Sequence, residues 1–220
     1  PERLLEESSC VMKEIDRDRV ADILPEREAS SHKGTYGTLL SVCGSRGMAG
    51  AAIMSGRAAL RSGVGLLKLA IPQSIYPILA GALTEPVFTL LYENRQGTLS
   101  RQCKADLLSA LSGASACLIG CGLGCNVDTE QLVQALLAET KIPIVLDADG
   151  INAVCSHIDS IKTAKAPVIL TPHPGEMARL LRITTAQVQA NRYASAQQFA
   201  VDFQAVVVLK GANTLVALPD

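Results

Sequence analysis

Two short segments constrain this chain more than any others: Ile144-Val145-Leu146 and Val206-Val207-Val208-Leu209. Each is apolar at every position. A strand with one face in water alternates apolar with polar residues, so strands like these are covered on both faces. The rest of the sequence supplies the cover. Apolar runs at residues 38–43, 66–71, 86–91, 114–120, 143–147 and 167–170 alternate with helical patterns at 49–61, 74–81, 100–111, 128–140, 150–155, 176–181 and 184–203. This alternation predicts an α/β fold: a mostly parallel sheet flanked by helices and joined by right-handed crossovers. Residues 206–210 and 214–218 are too close for a helical crossover and are predicted as an antiparallel pair turned at 211–213. Asp128 is placed as the N-cap of the helix over 128–140. Thr184 and Gln187 read as a capping box opening one continuous helix over 184–203.

Composition narrows the function classes. With 220 residues, 48% of them apolar, the chain has enough material for one large core, read as a single domain in which residues 1–22 form an extension or lead helix. Twenty basic side chains face 21 acidic ones with no basic block, which argues against nucleic acid as a partner. The absence of Trp leaves few platforms for stacking bases. No window of about 20 residues is free of charges and turn formers, so no membrane span is expected. The opening Pro1-Glu2-Arg3-Leu4-Leu5 lacks the layout of a signal peptide, and Pro1 in place of an initiator Met reads as a processed or internal start. Seven scattered cysteines, an odd number, suit reduced thiols in the cytoplasm. Cys117, Cys121 and Cys125 share a helical spacing that could hold a metal. Gly120, Gly122 and Gly124 lie between them, however, and oppose a helix. They are read as one buried strand thiol and two loop thiols, with no metal site.

In open α/β sheets, ligands bind beyond the carboxyl ends of the strands, and the informative residues stand there. After the first strand comes Gly44-Ser45-Arg46-Gly47-Met48-Ala49-Gly50-Ala51-Ala52, either a tight turn for helix packing or a loop that lets backbone N–H groups approach an anion. Gly120-Cys121-Gly122-Leu123-Gly124 begins like a dinucleotide fingerprint, but Cys125 stands at the last glycine position. In Asp147-Ala148-Asp149-Gly150-Ile151-Asn152, one acid is expected to cap the next helix and the other to position Mg²⁺ waters or phosphates. In Thr171-Pro172-His173-Pro174-Gly175-Glu176, two prolines restrict the backbone around a single His, which is well placed to contact a ligand. Lys210-Gly211-Ala212-Asn213-Thr214 is either a hairpin turn with a solvated Lys or a phosphate and ribose site. Nucleophile elbows and zinc-protease motifs are absent. Several modest loops on one sheet edge point to a ligand with several parts.

Together with Lys33-Gly34-Thr35-Tyr36-Gly37, these loops occur in the order seen in NAD(P)H-hydrate dehydratases, and from about residue 23 to 220 the chain resembles that family. The resemblance implies a ribokinase-like three-layer fold and an enzyme that restores hydrated NADH or NADPH. A phosphoryl group passes from ADP or ATP, with Mg²⁺, to the hydroxyl at ring carbon 6, and phosphate then leaves. By the same match, Ala51, Gly122 and His173 line the hydrate substrate, and Lys210, Gly211, Ala212, Asn213 and Thr214 bind the adenine nucleotide. Asp149 and Asn152 lie near the phosphates. Homo-oligomers and an accompanying epimerase domain or protein are also implied.

The family pattern continues past the last strand pair into a Gly-rich stretch ending Gly-Ser/Thr-Gly-Asp, whose Asp is assigned as the base. These 220 residues contain no such stretch, and Asp220 resembles a turn residue, so the catalytic carboxylate is expected beyond Asp220 and the chain is read as cut short. The alternatives are a vitamin-precursor or sugar kinase of the same fold, a non-catalytic nucleotide-binding fragment, and an unstable fragment whose uncovered edge needs a partner. ADP is not distinguished from ATP, nor NADH hydrate from NADPH hydrate. A pocket for a 2′-phosphate needs an arginine, for which Arg46, Arg57 and Arg61 are considered.

Overall fold

The computed structural model describes residues 12–24 and 26–219, so the reading of Asp220 lies outside the described residues. The chain divides into two compact units, Pro1–Ser31 and His32–Asp220. The first holds helix α1 (Arg17–Ile23), whose N-cap Asp16 accepts the Arg19 N–H at 2.8 Å and none of whose residues is buried.

The second unit is built on one sheet of eight strands: β1 (Thr38–Val42), β2 (Leu66–Pro72), β3 (Val87–Leu91), β4 (Ala116–Ile119), β5 (Ile144–Leu146), β6 (Val168–Leu170), β7 (Val206–Leu209) and β8 (Leu215–Ala217). Their order is β3-β2-β1-β4-β5-β6-β7-β8. Every pairing is parallel except β7 with β8, as the short connection requires. The helices are α2 (Ala49–Arg61), α3 (Tyr76–Ala82), α4 (Lys104–Ala110), α5 (Val127–Glu139), α6 (Asp149–Val154), α7 (Asp159–Lys162), α8 (Pro174–Leu181), α9 (Thr185–Ala190) and α10 (Arg192–Phe203).

From β1 the chain winds outward to β2 and β3, then crosses back to β4 and winds the other way. Right-handed crossovers then put the two sets of helices on opposite faces. The packing agrees. Leu67, Leu69 and Ile71 of β2 join Ala52 of α2 and Leu79 of α3 in one core. Leu40 and Val42 of β1 join Leu107 of α4, Leu136 of α5 and Phe199 of α10 in the other. The winding reverses between β1 and β4, and that gap is the switch point where a ligand crevice forms.

Three local expectations are corrected. The N-cap of α5 is Asn126, whose side chain accepts the Thr129 N–H at 3.1 Å, while Asp128 sits in the first turn. The continuous helix over 184–203 is broken: the Thr184–Gln187 capping box opens α9 as expected, but Asn191 leaves helical geometry, ends α9 and caps α10 by accepting the Ala194 N–H. Neither acid after β5 caps α6. Its N-cap is Ala148, which has no side-chain cap, because Asp147 and Asp149 are both drawn to other loops. Among the described residues no helix is long and apolar enough to cross a membrane.

Candidate active site

The glycine loops after β1 and β4 are tied together across the switch point. The Gly44 N–H donates to the Cys121 carbonyl at 2.9 Å, and the buried Ser45 hydroxyl donates to the Gly122 carbonyl at 2.8 Å. Ala51 stands in the first turn of α2 and faces Gly122. A Cβ at Gly122 would lie 2.6 Å from the Ala51 Cβ, and its φ of +67° already disfavours any side chain. The expected pair Ala51 and Gly122 is thus brought together as a low saddle with no side chain in the way.

Along the sheet edge from this saddle lies an acid–base cluster. Lys210, just past β7, donates from Nζ to Asp147 Oδ1, just past β5, at 2.8 Å. Thr171, past β6, donates its hydroxyl to the same oxygen at 2.8 Å. The Lys210 backbone is pinned as well, its N–H donating to the Pro172 carbonyl at 2.8 Å. Burial raises the Asp147 pKa, but the hydrogen bonds from Lys210 and Thr171 outweigh it and hold the carboxyl below its ordinary value. A carboxyl held low contributes stability that is full above the ordinary carboxylate pKa and is lost as pH falls through the lowered one. The difference in thermal midpoint between the native chain and Asp147→Asn should therefore shrink as pH drops from about 6 to about 3. A difference that stays constant over that range would show that the ion pair does not contribute.

Asp149 and Asn152 turn toward the β4 loop. Asp149 accepts the Gly124 N–H at 2.9 Å and the Cys125 thiol at 3.1 Å. Asn152 accepts from Arg179 Nε at 3.0 Å. Asp149 therefore holds the glycine loop, and Asn152 supports it by donating its amide to Asp149 Oδ1 at 3.4 Å. Burial and then the Asp149 carboxylate push the Cys125 thiol up to about 11, and burial with Asp147 pushes Cys121 up to about 12. Both thiols are poor nucleophiles. Cys117 is buried on β4 and the other two lie in the loop, as their spacing with glycines predicted. Among the described residues no group of three His, Cys, Asp or Glu side chains gathers around a metal position.

His173 is the N-cap of α8. Its Nδ1 accepts the N–H groups of Gly175 at 3.0 Å and Glu176 at 3.4 Å, and the buried Glu176 carboxylate accepts the His173 N–H at 2.8 Å. With Nδ1 used as an acceptor, the ring carries its proton on Nε2. The ring is half-exposed, its Nε2 lies 3.4 Å from Glu176 Oε1, and Pro174 sets the first turn of the helix behind it.

Residues 211–214 form the exposed turn between β7 and β8. A residue not expected from sequence holds this turn: Arg192, the first residue of α10, donates to the carbonyls of Ala212 at 2.7 Å, Leu209 at 3.1 Å and Lys210 at 3.4 Å. Arg46 proves to be engaged with Glu93, and Arg57 reaches the Ala82 carbonyl at 3.5 Å. With strands about 4.8 Å apart, the saddle at β4 and the turn at β7 are separated by about 14 Å, with Lys210, Asp147 and His173 between them.

Two parts of one large ligand, or two ligands meeting midway, would suit such an edge. The pattern of the NAD(P)H-hydrate dehydratase family matches residues 39–220. The bifunctional NAD(P)H-hydrate repair enzyme Nnr of Moorella thermoacetica is 44% identical over 197 residues, covering 90% of this chain and 37% of that relative, so the chain spans well under half of its length. The crystal structure of the ADP/ATP-dependent NAD(P)H-hydrate dehydratase of Bacillus subtilis, co-crystallised with ATP/Mg²⁺, superposes with a TM-score of 0.75 at 34% identity, covering 92% of this chain and 68% of that one. A ribokinase-like superfamily protein of Enterococcus faecalis shares the fold with a TM-score of 0.75 at 23% identity, covering 88% of this chain and 64% of that one. The three-layer sandwich is therefore ribokinase-like. With a match running from β1 to the end of the chain and an edge of the right chemistry, this chain belongs to the NAD(P)H-hydrate dehydratase family.

Proposed function

We propose that the chain binds hydrated NADH or NADPH and an adenine nucleotide side by side along the strand ends, and restores the reduced nicotinamide using the nucleotide's terminal phosphoryl group. The observation that carries this reading is the fixed Lys210 ammonium, held at 2.8 Å by Asp147 between the Ala51–Gly122 saddle and the turn at 211–214. The hydroxyl at ring carbon 6 is a poor leaving group. Its oxygen attacks the terminal phosphorus of ADP or ATP, AMP or ADP departs, and the ring then loses phosphate together with a proton from the neighbouring carbon. Transfer of this kind needs positioning and charge neutralisation more than covalent help.

In this reading Ala51 and Gly122 give the hydrate a floor of backbone, and the half-exposed His173 imidazole, backed by Glu176, faces the damaged ring. Lys210, Gly211, Ala212, Asn213 and Thr214 hold the nucleotide, with the Lys210 charge beside the phosphoryl group in flight. Asp149 and Asn152 keep Gly124 in place at the phosphate side. Mg²⁺ takes oxygen ligands, keeps several waters and is commonly bound through one or two carboxylates plus substrate phosphates. Asp147, whose Oδ2 accepts only the Cys121 thiol among the described residues, at 3.6 Å, is the carboxylate whose chemistry fits that role. Bound there, the ion would neutralise phosphate charge. The six described cysteines are all free thiols, which suits a reducing cytoplasm.

The test is regeneration of reduced nicotinamide absorbance from each hydrate by the full-length protein with ADP or ATP. A rise that depends on the nucleotide, with one phosphate released per ring, is expected. A phosphorylated product without reduced nicotinamide would favour the small-molecule kinase instead. His173→Asn separates the two roles of that residue. Asn keeps the capping acceptor, so the thermal midpoint should move by only about 1–2 °C, while kcat/KM for the hydrate should fall about tenfold for the lost ring contact. An equal fall in stability and activity would leave His173 with capping alone.

A further inference from the structure

Between β3 and α4 a hairpin at residues 93–99 folds back over the switch point, closed by a bridge between Glu93 and Leu99. Its tip is shaped by Asn94, whose Oδ1 accepts the N–H groups of Gln96 at 3.0 Å and Thr98 at 3.3 Å. Three ties fasten it to the site loops. The Arg46 N–H donates to the Gly97 carbonyl at 2.8 Å, the Arg46 guanidinium pairs with Glu93, and the Asn126 amide donates to the Thr98 hydroxyl at 2.8 Å. Hydrogen bonding to Ser74, ahead of the Arg46 contribution, holds the Glu93 carboxyl below its ordinary value, so that pair is ionised.

A broadly open surface cavity of about 370 Å³ lies between the hairpin tip and the start of α5, lined by Asn94, Arg95, Gln96, Asn126, Val127 and Asp128. That volume falls within the range of small-ligand sites. The cavity adjoins the saddle: Met48 backs both Gly122 and Gly124, and Thr98 packs on Gly124 from the hairpin side. It therefore lies on the far side of the saddle from Lys210.

The charges around it do not cancel. Asp128 is engaged by the Asn94 amide at 2.9 Å and by Arg101 at 3.7 Å, and Arg46 is neutralised by Glu93. Arg95 is exposed and, among the described residues, makes no ion pair or side-chain hydrogen bond. The cavity thus presents one uncompensated guanidinium beside the exposed Gln96, while the Asn94 and Asn126 amides are already engaged with Asp128, Thr98 and Thr129. That set suits a nucleoside carrying a phosphate, because guanidinium binds phosphate through paired hydrogen bonds.

Resting on the dinucleotide substrate proposed above, we infer that this cavity receives the nucleoside of the hydrate remote from the reacting ring, and that Arg95 binds its 2′-phosphate. With the ring turned toward His173 and Lys210, the other end of the dinucleotide points across the saddle to this hairpin. Arg95 then favours hydrated NADPH over hydrated NADH. Arg46 cannot take that part, because Glu93 already holds it.

Arg95→Gln tests the assignment in the full-length protein. Being exposed, the position tolerates the change without loss of fold, which circular dichroism checks. The expected result is a fall in kcat/KM of about tenfold or more for hydrated NADPH, with less than about a twofold change for hydrated NADH. Equal falls for both hydrates, or no change in either, overturn it. A binding experiment is independent of turnover: 2′,5′-ADP is titrated with excess 5′-AMP present to fill the β7–β8 turn, and the side-chain amide signals of Asn94, Gln96 and Asn126 are followed by NMR. Shifts that vanish in Arg95→Gln support the subsite. No shifts in the native protein overturn it. Those shifts in a protein that dehydrates neither hydrate would sink the proposed activity and leave the subsite standing.

Discussion

Replacing Lys210 with Met should lower kcat/KM for either hydrate by about 100- to 1,000-fold, the loss seen when one preorganised group facing developing charge is removed. The Lys210 side chain is 43% exposed, so little packing goes with it. What changes is electrostatic. The ammonium is held by Asp147 and its backbone by Pro172, and it can sit beside a phosphoryl group without reorganising. Without it, Asp147 keeps only its hydrogen bonds from Thr171 and Cys121 and becomes a net repulsive charge toward phosphate. Lys210→Met with Asp147→Asn removes that repulsion, so the double variant should recover part of the nucleotide affinity lost in the single one while kcat stays low. Titration of ADP followed by single-turnover kinetics reads both quantities. Unchanged kcat/KM in Lys210→Met would remove the group on which the proposed chemistry rests.

Gly120→Ala should be the most damaging single methyl in the site. The Cβ it adds would lie 1.9 Å from the Asp147 carbonyl oxygen and 2.4 Å from the Gly150 nitrogen, both backbone atoms that have nowhere to go. A φ of +128° adds strain for any L side chain. Gly150 meets the same wall from the other side, its own Cβ position lying 2.4 Å from the Ile119 carbonyl oxygen. The ends of β4 and β5 therefore close on each other backbone to backbone. Forcing them apart should cost about 4 kcal/mol or more, a fall of roughly 10 °C in thermal midpoint for a unit of this size. It would also displace Asp147 from Lys210. A thermal scan beside the native chain decides it, and a shift under about 3 °C would show the loops to be more compliant than this geometry allows.

Much of the scaffold was legible because its signals are local. Ile144-Val145-Leu146 announces a strand covered on both faces, and the short connection after Leu209 forces the antiparallel partner. The strand-end residues were legible by position alone, since a doubly wound sheet gathers them at one edge. The rest depends on pairings across long stretches of chain. Asp147 meets Lys210 63 residues away, and Asn126 meets Thr98 28 residues away. Nothing near either residue announces its partner. Asn126 outcompeted Asp128 as the cap because the Asp128 carboxylate was taken by Asn94 and Arg101. The break at Asn191 is hidden for a similar reason: the helical pattern runs on either side of it, and only the capping bond to Ala194 marks a new start. Arg95 escaped notice because its value lies in lacking a partner, while Arg46, the arginine in the more conspicuous loop, has one.

The Arg192 clamp has an effect on the opposite side of the turn it grips. In a planar trans peptide the N–H points away from the C=O. By drawing the carbonyls of Lys210 and Ala212 toward its guanidinium, Arg192 turns the amide hydrogens of Gly211 and Asn213 outward. A cation tucked behind the loop thus polarises the front of it into a small array of donors, and an anion arriving there meets oriented dipoles with no side-chain charge to displace.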